Sequence, residues 1–209
     1  MSYASLRSGF VALVCSCAMV TIGVAAAPAA DDPAPTLLGT INGVIDLVLG
    51  QAPTAIQEKL PEIRKRMDES FATDLIVQRA FGRNWSKLTP AQQTEVVDLL
   101  GRLVIRTYAT QLSSGTRPVI TIVSSRELGA DRREIVTTAS RDGKVVNVVY
   151  RLGKIDTKWK VYDVLAEGVS VVGNYRQQFD AHFEKKSAAD LIELLKAKLA
   201  GPVEEEKKA

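Results

Sequence analysis

The sequence predicts an α+β fold, with helices packed around one antiparallel sheet of about four strands. Three observations carry this. Apolar residues recur at helical spacing from Leu37 to Leu112, alternate between Pro118 and Leu165 in runs separated by turn signals, and return to helical spacing from Val169 to Leu199. Strands grouped mid-chain and joined by tight connections imply a sheet built from consecutive antiparallel strands. At 209 residues, 46% hydrophobic and 24% charged, the chain is long enough for one domain with a sizeable core. A formal charge of +3 without a clustered basic run argues against nucleic acid as a partner.

The N-terminus reads as an export signal over residues 1–29. Arg7 supplies the positive end, Phe10 to Val24 an apolar run, and Ala27-Pro28-Ala29 the small-residue site ahead of Ala30. The apolar run, at about 15 residues, is shorter than the ~20 a spanning helix needs. Cys15 and Cys17 lie in poor contexts for lipid attachment and leave with the signal, so the exported chain has no cysteine and depends on core packing. Residues 30–36, with two acids and two prolines, read as a flexible lead. Residues 37–200 are the domain, and 201–209 a charged tail expected to be disordered.

Leu37, Leu38, Ile41, Val44, Ile45 and Val48 mark a first amphipathic helix from Thr36, ended by Gly50. Ile56, Leu60, Ile63 and Met67 mark a second, from Pro53 to about Asp68, with a bend or fresh start expected near Pro61. Arg64, Lys65 and Arg66 read as solvated charges. A third helix, Phe71 to Phe81, stops at Gly82 and is followed by a loop that Trp85 pins. Thr89-Pro90-Ala91-Gln92 is a capping box with proline at the first helical position, so a long helix starts there. Val96, Leu100, Leu103, Val104 and Thr107 form its apolar face, with Glu95, Asp98, Arg102 and Arg106 opposite.

After Ser113-Ser114-Gly115-Thr116, strands are expected over Pro118–Ser124, Glu134–Ala139, Lys144–Leu152 and Lys158–Leu165. Asp142-Gly143 is a hairpin signal. Helix resumes over Val169–Phe183. A last helix follows the capping box Ser187–Asp190, with Leu191, Leu194, Leu195 and Leu199 as its face.

Catalytic parts are scarce. The exported chain has no thiol nucleophile, no metal-spaced cluster, no phosphate loop and one histidine, His182, which reads as a surface residue on an amphipathic helix. Asp163, between aromatic and apolar neighbours on a strand, reads as an acid paired at a strand edge, with a buried acid as the alternative. Periodicity shows which faces are apolar and leaves open whether the space between them is filled or hollow.

The wording of two blocks is more particular. Phe71-x-x-Asp74, Ala80-Phe81-Gly82-x-x-Trp85, Thr89-x-x-Gln92 and Arg106-Thr107-Tyr108-Ala109-x-x-Leu112 form the first; Trp159 to Val164, Glu167-Gly168-Val169-Ser170 and Asn174-Tyr175-Arg176-x-x-Phe179 form the second. In this order they resemble the MlaC/toluene-tolerance family of periplasmic phospholipid-binding ABC transporter auxiliary proteins, over roughly Leu37 to Leu199. The resemblance implies helices around a twisted sheet enclosing an apolar cavity for acyl chains, with no enzymatic activity and no cofactor beyond phospholipid as cargo. It implies a periplasmic location and, as partners, an inner-membrane MCE/ABC transporter complex and an outer-membrane lipoprotein complex. A monomer is expected. Other cargo such as a hopanoid, or a filled-core envelope adaptor, are the competing readings.

Under that reading, helical and strand phase select the walls of a lipid-tail site. The long helix offers Leu100, Leu103, Val104 and Tyr108, the third strand Val146, Val148 and Tyr150. Leu75 and Val161 add further wall, and Val171 and Tyr175 close the end. Arg106 and Arg176 read as solvated salt-bridge residues, with a place at the mouth near a phosphate as the alternative.

Overall fold

The computed structural model describes residues 31–201. The export signal and residues 202–209 of the expected tail lie outside the described residues. In chain order the elements are α1 (Ala34–Val48), α2 (Pro53–Met67), α3 (Thr73–Phe81), a 3-10 helix (Gly82–Lys87), α4 (Pro90–Ser113), β1 (Val119–Gly129), β2 (Arg132–Arg141), β3 (Lys144–Ile155), β4 (Lys158–Ala166), β5 (Val169–Ser170), α5 (Val171–Phe183) and α6 (Ala188–Ala200). The fold is α+β. Its sheet has five strands in sequential order, each antiparallel to its neighbour.

Local chemistry sets most boundaries. Asp142 and Gly143 turn with φ of 51° and 75°, the two positive values that a two-residue hairpin of matching twist requires. Asp156-Thr157 and Glu167-Gly168 repeat this geometry, at 48° and 69° and at 49° and 82°. At the start of α4, Thr89 Oγ1 accepts from the Gln92 amide at 3.3 Å while Gln92 Oε1 accepts from the Thr89 amide at 3.0 Å. Ser187 and Asp190 make the same reciprocal pair at α6. Gly82, at φ 52° and ψ −126°, ends α3 in a conformation that side chains other than glycine's resist.

Several expectations need correction. The first helix begins at Ala34 rather than Thr36, and the lead expected to be flexible over 30–36 is held from Asp32. Its carboxylate accepts from the Ala34 amide at 3.0 Å and pairs with Arg133 at 3.3 Å. α2 runs unbroken through Pro61. Trp85 sits in the 3-10 helix instead of a loop, edge-on to Phe81 at 5.7 Å. Val169-Ser170 is a fifth strand, because its backbone pairs with Leu165 and Ala166 before the helix can start. On α6, Ile192 is buried where Leu194, 43% exposed, was expected. Arg64 and Arg66 are partly solvated, as expected, and also act as straps. The Arg64 guanidinium pairs with Asp68 and Asp74 and lies where a side chain on Gly101 of α4 would stand; Arg66 occupies the same relation to Gly43 of α1.

The apolar interior falls into three clusters. One joins α3, α4, α5 and α6 around Phe81, Phe179, Leu100 and Leu195. A second joins α1 and Phe71 to the sheet through Leu37, Ile135, Tyr150, Leu152 and Val161. The third lies among α1, α2 and α4 around Val48, Ile56, Leu60 and Ile105. The segment between α2 and α3 is stitched to β4: the Val161 amide donates to Ser70 O at 2.7 Å and the Ala72 amide to Val161 O at 2.9 Å.

Candidate functional site

Register decides which sheet residues share a face. Ile135 stands opposite Tyr150, Thr137 opposite Val148 and Ala139 opposite Val146, while Leu152 faces Val161 and Tyr150 faces Val164. On β1, Ile122 stands opposite Thr137. This apolar face is half covered. α1 and Phe71 bury Ile135, Tyr150, Leu152 and Val161, whereas Val148 and Val146, toward the Asp142-Gly143 hairpin, stay half-buried. Phe71 meets the Tyr150 ring edge-on at 6.3 Å. Burial pushes the Tyr150 phenol up to about 12, against the opposing pull of its hydrogen bond with Thr137.

α4 is packed on two sides and not on the third. Val96, Leu99 and Leu100 belong to the cluster with α3, α5 and α6, and Ile105 and Ala109 to the cluster with α1 and α2. No buried residue of α4 joins the cluster built on the sheet. Leu103 and Val104 pack against the α3–α6 cluster yet stay half-buried, and Tyr108 is 39% exposed, so this apolar stretch of the helix is only partly covered.

The eleven residues expected to line a tail site are therefore distributed. Tyr150, Val161 and Val148 lie in or against the sheet cluster; Leu100, Leu103, Val104 and Tyr175 in or against the α3–α6 cluster. Leu75, Val146 and Val171 are half-buried outside the clusters, and Tyr108 is the most exposed. Ile76 was missed. It packs against both the sheet cluster and the α3–α6 cluster, and its position four residues before the buried Ala80 was the available signal. Ile41, Ile122 and Val164 also pack against the sheet cluster and were not selected. A cavity of about 600 Å³ opens between the α1–α2 turn and the end of α4, lined by residues that include Gln51, Pro53, Thr110, Gln111 and Ser113; none of the eleven lines it.

The polar residues singled out in the sequence have structural partners. Arg106 is buried, neither solvated nor at a mouth: its guanidinium donates to Lys198 O and Leu199 O at 2.6 Å and to Gly201 O at 3.1 Å, closing the C-terminus of α6. Arg176 donates from Nε to Arg79 O at 3.0 Å at the end of α3. Asp163 is a buried acid that accepts from the Ser170 hydroxyl at 2.9 Å and pairs with Arg151 at 3.6 Å; Ser170 Oγ in turn accepts from the Gly173 amide. His182 Nε2 contacts Ser187 O at 3.0 Å. Among the described residues no group of three or more His, Cys, Asp or Glu is placed to hold a metal ion. Nor is any described helix long and apolar enough to cross a membrane.

These features define an α+β protein with a half-covered apolar sheet face. The family model described as MlaC protein matches residues 41–197, and the chain belongs to that family. Among solved structures, a phospholipid-binding protein from Ralstonia solanacearum, determined in complex with a phospholipid, is 26% identical with a TM-score of 0.68, over 81% of this chain and 99% of the other. Comparison with curated proteins returned no match.

Proposed function

We propose that this protein is a periplasmic phospholipid carrier. The observation that carries the reading is the match, over 81% of this chain, to a structure determined in complex with a phospholipid. The half-covered sheet face and the partly covered apolar stretch of α4 support it. An acyl chain inserted there would cover the apolar surface that Leu103, Val104, Tyr108, Val146 and Val148 still expose, with Leu75, Val171 and Tyr175 at its margin and Leu100, Tyr150 and Val161 as the firm wall behind. At ~0.8 kcal/mol per buried CH₂, a chain of about 16 carbons represents on the order of 13 kcal/mol of transfer from water. Release into water is therefore negligible. Loading and unloading need docking to complexes whose own apolar sites accept the chain, and direction follows from their relative affinities. The family membership points to an inner-membrane MCE/ABC transporter complex and an outer-membrane lipoprotein complex as those partners, with the protein acting as an exported monomer and not as an enzyme.

The test is mass spectrometry of an organic extract from the natively purified exported protein, beside a Val104→Trp variant. Stoichiometric phospholipid in the wild type, lost in the folded variant, is expected. A folded wild type that carries no lipid and takes none from liposomes refutes the reading; a hopanoid in the extract would keep the carrier and replace the cargo.

A further inference from the structure

α3, the 3-10 helix and α5 bring three guanidinium groups to one face. Arg79 lies over the Tyr162 ring at 4.5 Å, and Arg176 reaches across to the Arg79 carbonyl, filling the space beside Gly82. Arg83, next in the chain, has a 77% exposed side chain and pairs with Asp180 at 3.3 Å. Lys87 extends the row, its ammonium 5.2 Å from the Phe183 ring centre. Among the described residues no carboxylate pairs with Arg79 or Arg176, so one acid opposes this row of four cations. Each arginine is exposed and held by a ring, a carbonyl or a carboxylate, which limits the freedom of its guanidinium.

We infer that this face docks the carrier onto an acidic surface of a partner protein. A bilayer is the poorer fit for two reasons. None of the large exposed apolar side chains among the described residues lies on α3, the 3-10 helix or α5, so nothing here would enter a lipid interface. Guanidinium groups each held by a partner also match carboxylates at set spacing on a protein better than mobile headgroups. The inference deepens the carrier reading and rests on it, since α3 and α5 also carry Leu75, Val171 and Tyr175. A partner seated on the arginines would stand beside the margin of the proposed lipid site, where cargo must leave.

The test titrates isotope-labelled protein with poly-glutamate by NMR and, separately, sediments it with vesicles of phosphatidylcholine and phosphatidylglycerol. Shifts centred on Arg79, Arg83 and Arg176, weakened roughly tenfold by Arg79→Glu/Arg83→Glu and less by the neutral Arg79→Gln/Arg83→Gln pair, are expected, with strong salt dependence. The variants should yield the same extracted lipid as the wild type. Shifts scattered over the lysines of other elements, indifference to both variants, or arginine-dependent sedimentation with the anionic vesicles would overturn the inference. Absence of lipid from the wild type would instead sink the carrier reading and leave the titration result standing.

Discussion

Replacing Arg106 by methionine should cost the fold about 3 kcal/mol, although its side chain hydrogen-bonds at the end of α6 and is not among the residues of the proposed lipid site. The arginine is 7% exposed and makes three hydrogen bonds, to the carbonyls of Lys198, Leu199 and Gly201, at the end of α6. Bonds from a charged donor contribute about 1.5 to 3 kcal/mol each before losses, and the negative end of the helix dipole adds to them. Against this stands the desolvation of the guanidinium, whose Nε is buried without a partner, a cost of about 1 to 3 kcal/mol. The freed carbonyls lie at a helix end where water can reach them in part, which lowers the net value to about 3 kcal/mol. Methionine keeps the apolar stem, so lost packing contributes little. Urea unfolding at neutral pH measures the total. Hydrogen exchange locates it, with protection expected to fall first in the last turns of α6. Arg106→Lys, which keeps the charge but not the fork, should recover less than half. A loss under about 0.5 kcal/mol, or exchange changes confined to α4, would refute the argument.

Two further outcomes follow from the same structure. The Tyr150 phenol titrates near 12 in the folded protein and near 10 when unfolded, so its contribution is fully present below pH 10 and is lost as pH rises toward 12. By linkage the loss is on the order of 3 kcal/mol, and Tyr150→Phe should flatten the stability profile over that interval relative to wild type; parallel profiles would contradict the assignment. Gly82→Ala should cost about 2 kcal/mol by thermal or urea unfolding, because φ is 52° there and the new methyl meets Arg176 Nε at 3.1 Å; an unchanged midpoint would show that the turn relaxes.

Much of this protein is determined by the sequence alone, wherever the determinants are local. The change from helical to alternating spacing gave the fold class, and the capping boxes at Thr89 and Ser187 and the turns at Gly82 and Gly143 gave element ends, since each depends on atoms within a few residues. The two motif blocks carried the family. Tertiary structure alone decided what periodicity cannot encode. Arg106 lies on the charged side of α4's helical wheel, yet α6 packs there and presents carbonyls to it. Leu75 and Ile76 are adjacent on α3, and only the positions of the sheet and α5 make Ile76 the residue shared by two clusters. Val169-Ser170 scans as helix until β4 offers it a backbone partner. Leu103 and Val104 read on the wheel only as an apolar face that could be filled or hollow, and the path of α4 leaves them half-covered. The reason is common to all four: periodicity specifies the direction in which a side chain leaves its element, and the element that arrives on that side is fixed by contacts far away in the chain.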